Sequence, residues 1–301
     1  MIDFGAQGIR INPSGVAEQR VPCPNCARSR RDDALGVNIE TGAYHCFRCG
    51  MKGRARVVRD VGRGNAATNG LTRIDDPQVE ERKRDRLRAT WRDTVPLGHR
   101  KAHAVRAYLQ TRALGDILKE PPAALRAHAG LQYWDGHTLL GQYPAMVAMF
   151  RSAAGEPVTL HVTWLRHDGC AKAPVPAPKK ILGVPVKGAT RGGAIRLYEP
   201  RAGVLGIAEG IESALSLHLI AKIPVWASFC ADNLARLRLP TGLRELRIGV
   251  DIDDSGKGRQ VARALVNRVK QWSPRTRCYY VTPEIAGVGD LNDEMLKRGA
   301  R

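Results

Sequence analysis

Two cysteine pairs, Cys23-Pro-Asn-Cys26 and Cys46-Phe-Arg-Cys49, stand nineteen residues apart near the start of the chain. A two-residue gap is the spacing at which a tight turn aims two thiolates at one point. Two such turns complete a closed tetrahedral set of four sulfurs, the environment that structural zinc favours. A segment this short has little apolar surface to bury, so one bound Zn²⁺ is expected to supply much of the folding energy of residues 1–59. Between the pairs, residues 34–39 and 42–45 are expected as a hairpin, giving a small β unit of the zinc-ribbon kind. His45 reads as a surface or nucleic-acid-contacting residue, because four cysteines already fill the ligand set. Arg28, Arg30, Arg31, Arg48, Lys52, Arg54 and Arg56 crowd the same region. Cys170, Cys230 and Cys278 are scattered, and an odd total of seven cysteines argues against a disulfide framework.

The formal net charge is +19, and 36 of the 48 basic residues are arginine. That excess points to a polyanionic partner, and arginine suits bidentate phosphate contact better than lysine. Nucleic acid is the expected partner. No long apolar run or basic amphipathic anchor suggests a membrane, and Met1 to Arg20 lacks a signal-peptide core, so a soluble cytoplasmic protein is expected.

A length of 301 residues allows two or three domains. Residues 60–74 are small, polar and glycine-rich and read as a linker. Residues 75–200 read as an α+β subdomain, with helices at 75–92 and 103–114 and strands at 145–151 and 158–166. On the first helix, Glu80–Arg84 is a favourable four-residue pair and Glu81–Asp85 an unfavourable one. From residue 203 short apolar strands alternate with helices. Strands are expected at 204–208, 225–229, 246–250 and 278–281, and helices at 212–220 and along the face Ala262, Leu265, Val266, Val269 and Trp272. This pattern predicts an α/β domain over 201–301 with a parallel sheet flanked by helices.

Carboxylates follow these strands. Glu209 ends the first apolar run, Asp251 and Asp253 follow the third, and Asp290 and Asp293 follow the fourth. Residues i and i+2 of an extended chain share a face, so Asp251 and Asp253 point together. Clustered carboxylates repel unless a cation intervenes, and Mg²⁺ takes oxygen ligands together with substrate phosphates. Glu212, one turn beyond Glu209, reads equally as a further site residue or as an exposed helix residue.

With these motifs on the page, the segments from Val204 to Leu215 and from Ile248 to Gly256 resemble the two signature motifs of the Toprim domain. The likeness continues through Val225–Phe229 and Ala231–Leu234. The segments beginning at Tyr108, His161 and Pro178 resemble phage- and plasmid-type DNA primases, whose domain order also starts with a four-cysteine zinc unit. The resemblance implies an enzyme that makes short RNA primers from NTPs on single-stranded DNA. It implies two or more Mg²⁺ or Mn²⁺ ions on Glu209, Asp251 and Asp253, assisted by Asp290 or Asp293, with Glu209 as a possible general base. Lys179, Lys180, Lys187, Arg191 and Arg196 are expected along the template or NTP path, and Trp91, Trp134 and Trp164 are candidates for base stacking. No helicase motif follows, so a separate replicative helicase is an expected partner. A RecR-like DNA-binding recombination protein and a Toprim nuclease are the alternatives.

Overall fold

Leu35 and Val37 alternate with Gly36 and Asn38 and are buried while their neighbours are partly exposed, the period-two pattern of a strand covering a core on one face. In the computed structural model, residues 2–12, 16, 18–27, 29, 32–57, 77–186, 188–252, 256–285 and 289–299 are described. The expected linker at 60–74 lies outside them, as do Asp253, Lys187, Arg28, Arg30 and Arg31. The chain divides into two compact units, Met1–Thr72 and Arg73–Arg301.

The first unit contains β1 (Ile2–Asp3), β2 (Glu18–Val21), β3 (Leu35–Asn38), β4 (Ala43–Cys46), β5 (Lys52–Arg54) and β6 (Arg56–Val57). Strands β2 to β5 form an antiparallel sheet in chain order, and β1 pairs with β6. Phe4, Ile9, Leu35, Val37, Cys23 and Cys46 share its small core.

The second unit opens with α1 (Pro77–Arg92), β7 (Val95–Pro96) and α2 (His103–Thr111). On α1, Arg84 reaches Glu80 at 3.2 Å, and Arg88 bridges Glu81 and Asp85 at 2.7 and 3.1 Å, so a cation separates the like-charged pair. The strands β8 (Leu125–Asp135), β9 (Thr138–Arg151), β10 (Pro157–Trp164), β11 (Lys179–Ile181) and β12 (Ala194–Arg196) follow. Next come β13 (Val204–Ala208), α3 (Ile211–Ala221), β14 (Val225–Ala227), α4 (Ala231–Leu234), β15 (Glu245–Gly249), α5 (Lys257–Trp272), β16 (Arg277–Val281) and α6 (Leu291–Gly299). These strands build one ten-stranded mixed sheet in the order β11-β10-β9-β12-β14-β13-β15-β16, with β8 on β9 and β7 on β8. The pairs β13–β14, β13–β15 and β15–β16 are parallel, and β12 joins them antiparallel to both β14 and β9. Residues 75–200 and 201–301 therefore share a single sheet.

Alternation along β13 assigns its two faces. Leu205 and Ile207 pack with Ala262, Leu265 and Val269 of α5, whereas Ala208 joins the core that contains Ala214 and Leu217 of α3. Each buried leucine, isoleucine or valine among these contributes roughly 1.5–3 kcal/mol by leaving water. Gly206 lets α3 sit close, because a Cβ there would lie 3.0 Å from Leu217 of that helix and 2.9 Å from Ile223 and Val225. The chain leaves β13 through α3 to β14 on one side, while β15 lies on the other side and leads through α5 to β16. Crossovers in opposite directions put helices on opposite faces and make the loops diverge at the carboxyl ends of β13 and β15. That divergence opens the crevice in which open α/β sheets bind ligands.

Candidate metal and nucleotide site

Glu209 is the first residue beyond β13 and Asp251 the second beyond β15, so both stand at this crevice. They line a cleft of about 430 Å³ together with Cys230, Asp232, Lys257, Asp290 and Asp293. Lys257 pairs with Asp232 at 3.2 Å, and both side chains are exposed. Five carboxylates and one lysine thus line this cleft of a strongly basic chain. Carboxylate oxygens are the donors that hard divalent cations take, so the chemistry of this lining fits such a cation. Among the described residues, only the four zinc-unit cysteines bring three or more ligand atoms within 4.8 Å of one another. Among the described residues, no three cleft carboxylates come that close.

Local structure fixes several of these groups. Asp290 Oδ1 accepts from the Asn292 and Asp293 amides, both at 2.8 Å, and so caps α6. Asp293 lies 3.7 Å from the Arg112 guanidinium. At the start of α5, a Cβ on Gly258 would come within 2.5 Å of the Asp251 carbonyl oxygen, so only glycine allows the helix this approach.

Behind the cleft lies a polar cluster that the sequence reading did not foresee. Glu212 is buried in the first turn of α3 and is 6% exposed, which excludes the exposed one of its two readings. The Tyr108 hydroxyl donates to Glu212 Oε1 at 2.9 Å. Burial raises the Glu212 carboxyl, but Lys179, the helix backbone, Lys172 and the Tyr108 hydroxyl outweigh it and leave the group below its ordinary value. His161 on β10 is buried and pushed down to about 4 by desolvation, so it is neutral at pH 7. Half-buried Lys172 is lowered by desolvation and by Lys179 and Arg112, and feels the opposing charges of Glu212 and Asp290. Asn292 Nδ2 donates to Arg112 O at 2.8 Å and Ser216 Oγ at 3.1 Å, joining α6 to α2 and α3. Tyr108, His161 and Lys179 belong to three segments singled out for their resemblance to primases, and that was the available signal for this cluster.

The expected basic residues do not all meet there. Neighbouring strand residues point to opposite faces. Lys179 acts on Glu212 and His161, whereas Lys180 Nζ sits 3.9 Å over the Tyr133 ring and donates to Trp134 O. Arg196 stacks over Trp226 at 4.5 Å, and Arg191 is exposed. Of the three tryptophans, Trp164 is buried and donates to Leu131 O, Trp91 is half-buried beneath Arg126, and Trp134 is exposed.

In the first unit, Cys23 and Cys49 sulfurs lie 3.7 Å apart and those of Cys26 and Cys46 3.5 Å. Tetrahedral zinc with Zn–S bonds of about 2.3 Å needs sulfurs about 3.8 Å apart, so the cluster fits a structural zinc site. Backbone N–H groups of Cys49 and Arg48 draw the Cys46 thiol down to about 6, while burial and the neighbouring thiols push Cys26 up to about 12. One face of this sheet carries an exposed Phe47, with the Arg20 guanidinium 4.1 Å over its ring and His45 edge-on at 4.7 Å.

Residues 204–301 match the family model of the Toprim domain, so this part of the chain is a Toprim domain. Residues 81–192 match the model of a domain of unknown function, DUF7146. No curated protein sequence matches the chain. Among solved structures, the chain is similar to the primase fragment of the bacteriophage T7 primase-helicase protein, at 15% identity over 94% of this chain and 96% of that one, with a TM-score of 0.39. It is similar to the zinc-binding and RNA polymerase domains of the Aquifex aeolicus primase, at 15% identity over 96% and 78% of the two chains, with a TM-score of 0.40. It is also similar to the RNA polymerase domain of Mycobacterium tuberculosis primase DnaG, at 16% identity over 75% and 81%, with a TM-score of 0.40. Among the described residues, no helix is long and apolar enough to cross a membrane.

Proposed function

We propose that this chain is a DNA primase, which copies a short stretch of single-stranded DNA into an RNA primer by metal-dependent nucleotidyl transfer. The observation that carries this reading is the carboxylate-lined cleft at the strand ends of the Toprim domain. The four-cysteine unit at the N-terminal end and the charge of +19 support it. Glu209, Asp251 and Asp253 would hold divalent ions, which would supply positive charge for binding a triphosphate and for offsetting charge on its α-phosphate during attack by a 3′-hydroxyl.

The chain's own side chains do the positioning. Glu209 and Asp251 extend from adjacent parallel strands, so the sheet sets their spacing. Asp290 orders the first turn of α6 and thereby orients Asp293. Lys179 offers an ammonium to phosphate oxygens. In the first unit, Arg20, His45 and Phe47 offer cationic and stacking contacts to a single-stranded template. Single-stranded DNA and NTPs are the partners this reading requires. The test uses purified protein, single-stranded DNA of varied sequence, labelled NTPs and Mg²⁺ or Mn²⁺. Short template-dependent RNA is expected. DNA binding without synthesis would move the reading to a RecR-like mediator, and DNA cleavage to a nuclease.

A further inference from the structure

Phe229 carries a backbone φ of +77° at the turn between β14 and α4. This left-handed conformation is natural for glycine and costly for a bulky side chain, and such outliers concentrate where a site over-determines them. A turn alone would be served better by glycine. The ring does not repay the strain by burial, since Phe229 remains 38% exposed. Its backbone is tied to the candidate site, because its N–H donates to the Glu209 carbonyl oxygen at 2.8 Å and the next residue, Cys230, lines the acidic cleft. Its ring reaches the other way, over the sheet. It meets Phe150 with ring centroids 6.4 Å apart at 89° and His161 at 5.9 Å and 66°. The charge of Lys179 acts on that same histidine. A strained, half-exposed aromatic ring thus stands between the carboxylates on one side and the Lys179 strand on the other.

We propose that Phe229 is the stacking platform for the base of the incoming nucleoside triphosphate, with its triphosphate directed to the acidic cleft. The assignment rests on the polymerase reading of that cleft. Three features select a nucleobase. The platform is flat and aromatic, its two ring neighbours clamp it at steep angles, and groups suited to a metal-bound triphosphate begin at the residue its amide binds. Every base has a π-face, so the platform favours no particular base and acts on all four nucleotides alike.

The experiment measures Mn²⁺-dependent binding of the four NTPs and of ribose 5′-triphosphate, which lacks a base, to the full chain. Wild type is compared with Phe229→Leu, Phe229→Gly and Phe229→Trp. Leucine keeps apolar bulk without a ring, and glycine relieves the strain. The expected result is an NTP dissociation constant roughly tenfold or more higher in both ringless variants, as base–aromatic stacking supplies. Ribose 5′-triphosphate binding stays unchanged, and Phe229→Trp keeps the wild-type NTP affinity. Equal weakening of NTP and ribose 5′-triphosphate, or a Phe229→Leu protein with wild-type NTP affinity, overturns the platform and leaves the polymerase reading standing. Wild-type protein that binds no NTP overturns both.

Discussion

Removing one hydroxyl tests the buried pair that joins α2 to the Toprim domain. In Tyr108→Phe, the Glu212 carboxylate keeps its burial, at 6% exposure, but loses the donor 2.9 Å from Oε1. A hydrogen bond to a charged group contributes about 1.5–3 kcal/mol, and no solvent can replace this one. For a unit of this size the loss lowers Tm by about 3–12 °C, at roughly 2–4 °C per kcal/mol. The change also alters the acid response. Glu212 has a lowered pKa in the folded chain, so its contribution to stability is present above the unfolded value of 4.5 and is lost as pH falls through the folded value. The Tyr108 hydroxyl is one of the groups lowering that pKa, so its removal narrows the gap and shifts the loss of stability to higher pH. The assay is thermal and acid unfolding of wild type, Tyr108→Phe, Glu212→Gln and the double variant. A coupling of about 1 kcal/mol or more is expected across the cycle. Additive effects, or a Tyr108→Phe protein within about 0.5 kcal/mol of wild type, would refute the reasoning.

Three further outcomes follow from individual contacts. Cys46→Ser should abolish stoichiometric zinc, read by elemental analysis, and unfold the first unit while the Toprim unit keeps its melting transition. Gly258→Ala forces a Cβ to within 2.5 Å of the Asp251 carbonyl, so primer synthesis should fall roughly 10- to 100-fold with the fold retained by circular dichroism. Lys179→Ala should raise the KM for NTPs, whereas Lys180→Ala should leave KM unchanged and cost about 0.5–2 kcal/mol of stability through its lost contact with Tyr133.

The sequence was most informative where apolar runs were buried on both faces. Strands β13 and β15 and helices α3 and α5 lie within a residue or two of their expected places, except that α5 begins well before the face used to recognise it. Strand β14 stops at Ala227 because Ser228 and Phe229 turn out of the sheet, the latter at positive φ. The long hairpin was largely invisible. Residues Thr138–Gln142 are exposed or half-exposed and include Gly141, so no apolar alternation marks them, and their strand character comes from pairing with β8. Spacing alone sufficed for the four cysteines, since the ligand set is local. The cleft was only partly legible: positions after strand ends pointed to Glu209, Asp251, Asp290 and Asp293, and these residues line it. The role of Glu212 was undecidable from sequence because its partner Tyr108 is 104 residues away in the chain, beyond the reach of any local pattern. The opposite orientations of Lys179 and Lys180 became clear only once β11 was seen as a strand.

The central claim is that the cleft carboxylates support nucleotidyl transfer. The most direct measurement compares RNA primer synthesis by wild type, Glu209→Gln and Asp251→Asn on single-stranded DNA, with DNA affinity measured on the same samples. The account predicts short template-dependent RNA from wild type and a loss of about 10³-fold in both variants, about 4 kcal/mol in barrier height, with DNA affinity unchanged. Variants that synthesise primers at the wild-type rate, or a wild type that makes none with either Mg²⁺ or Mn²⁺, would contradict it.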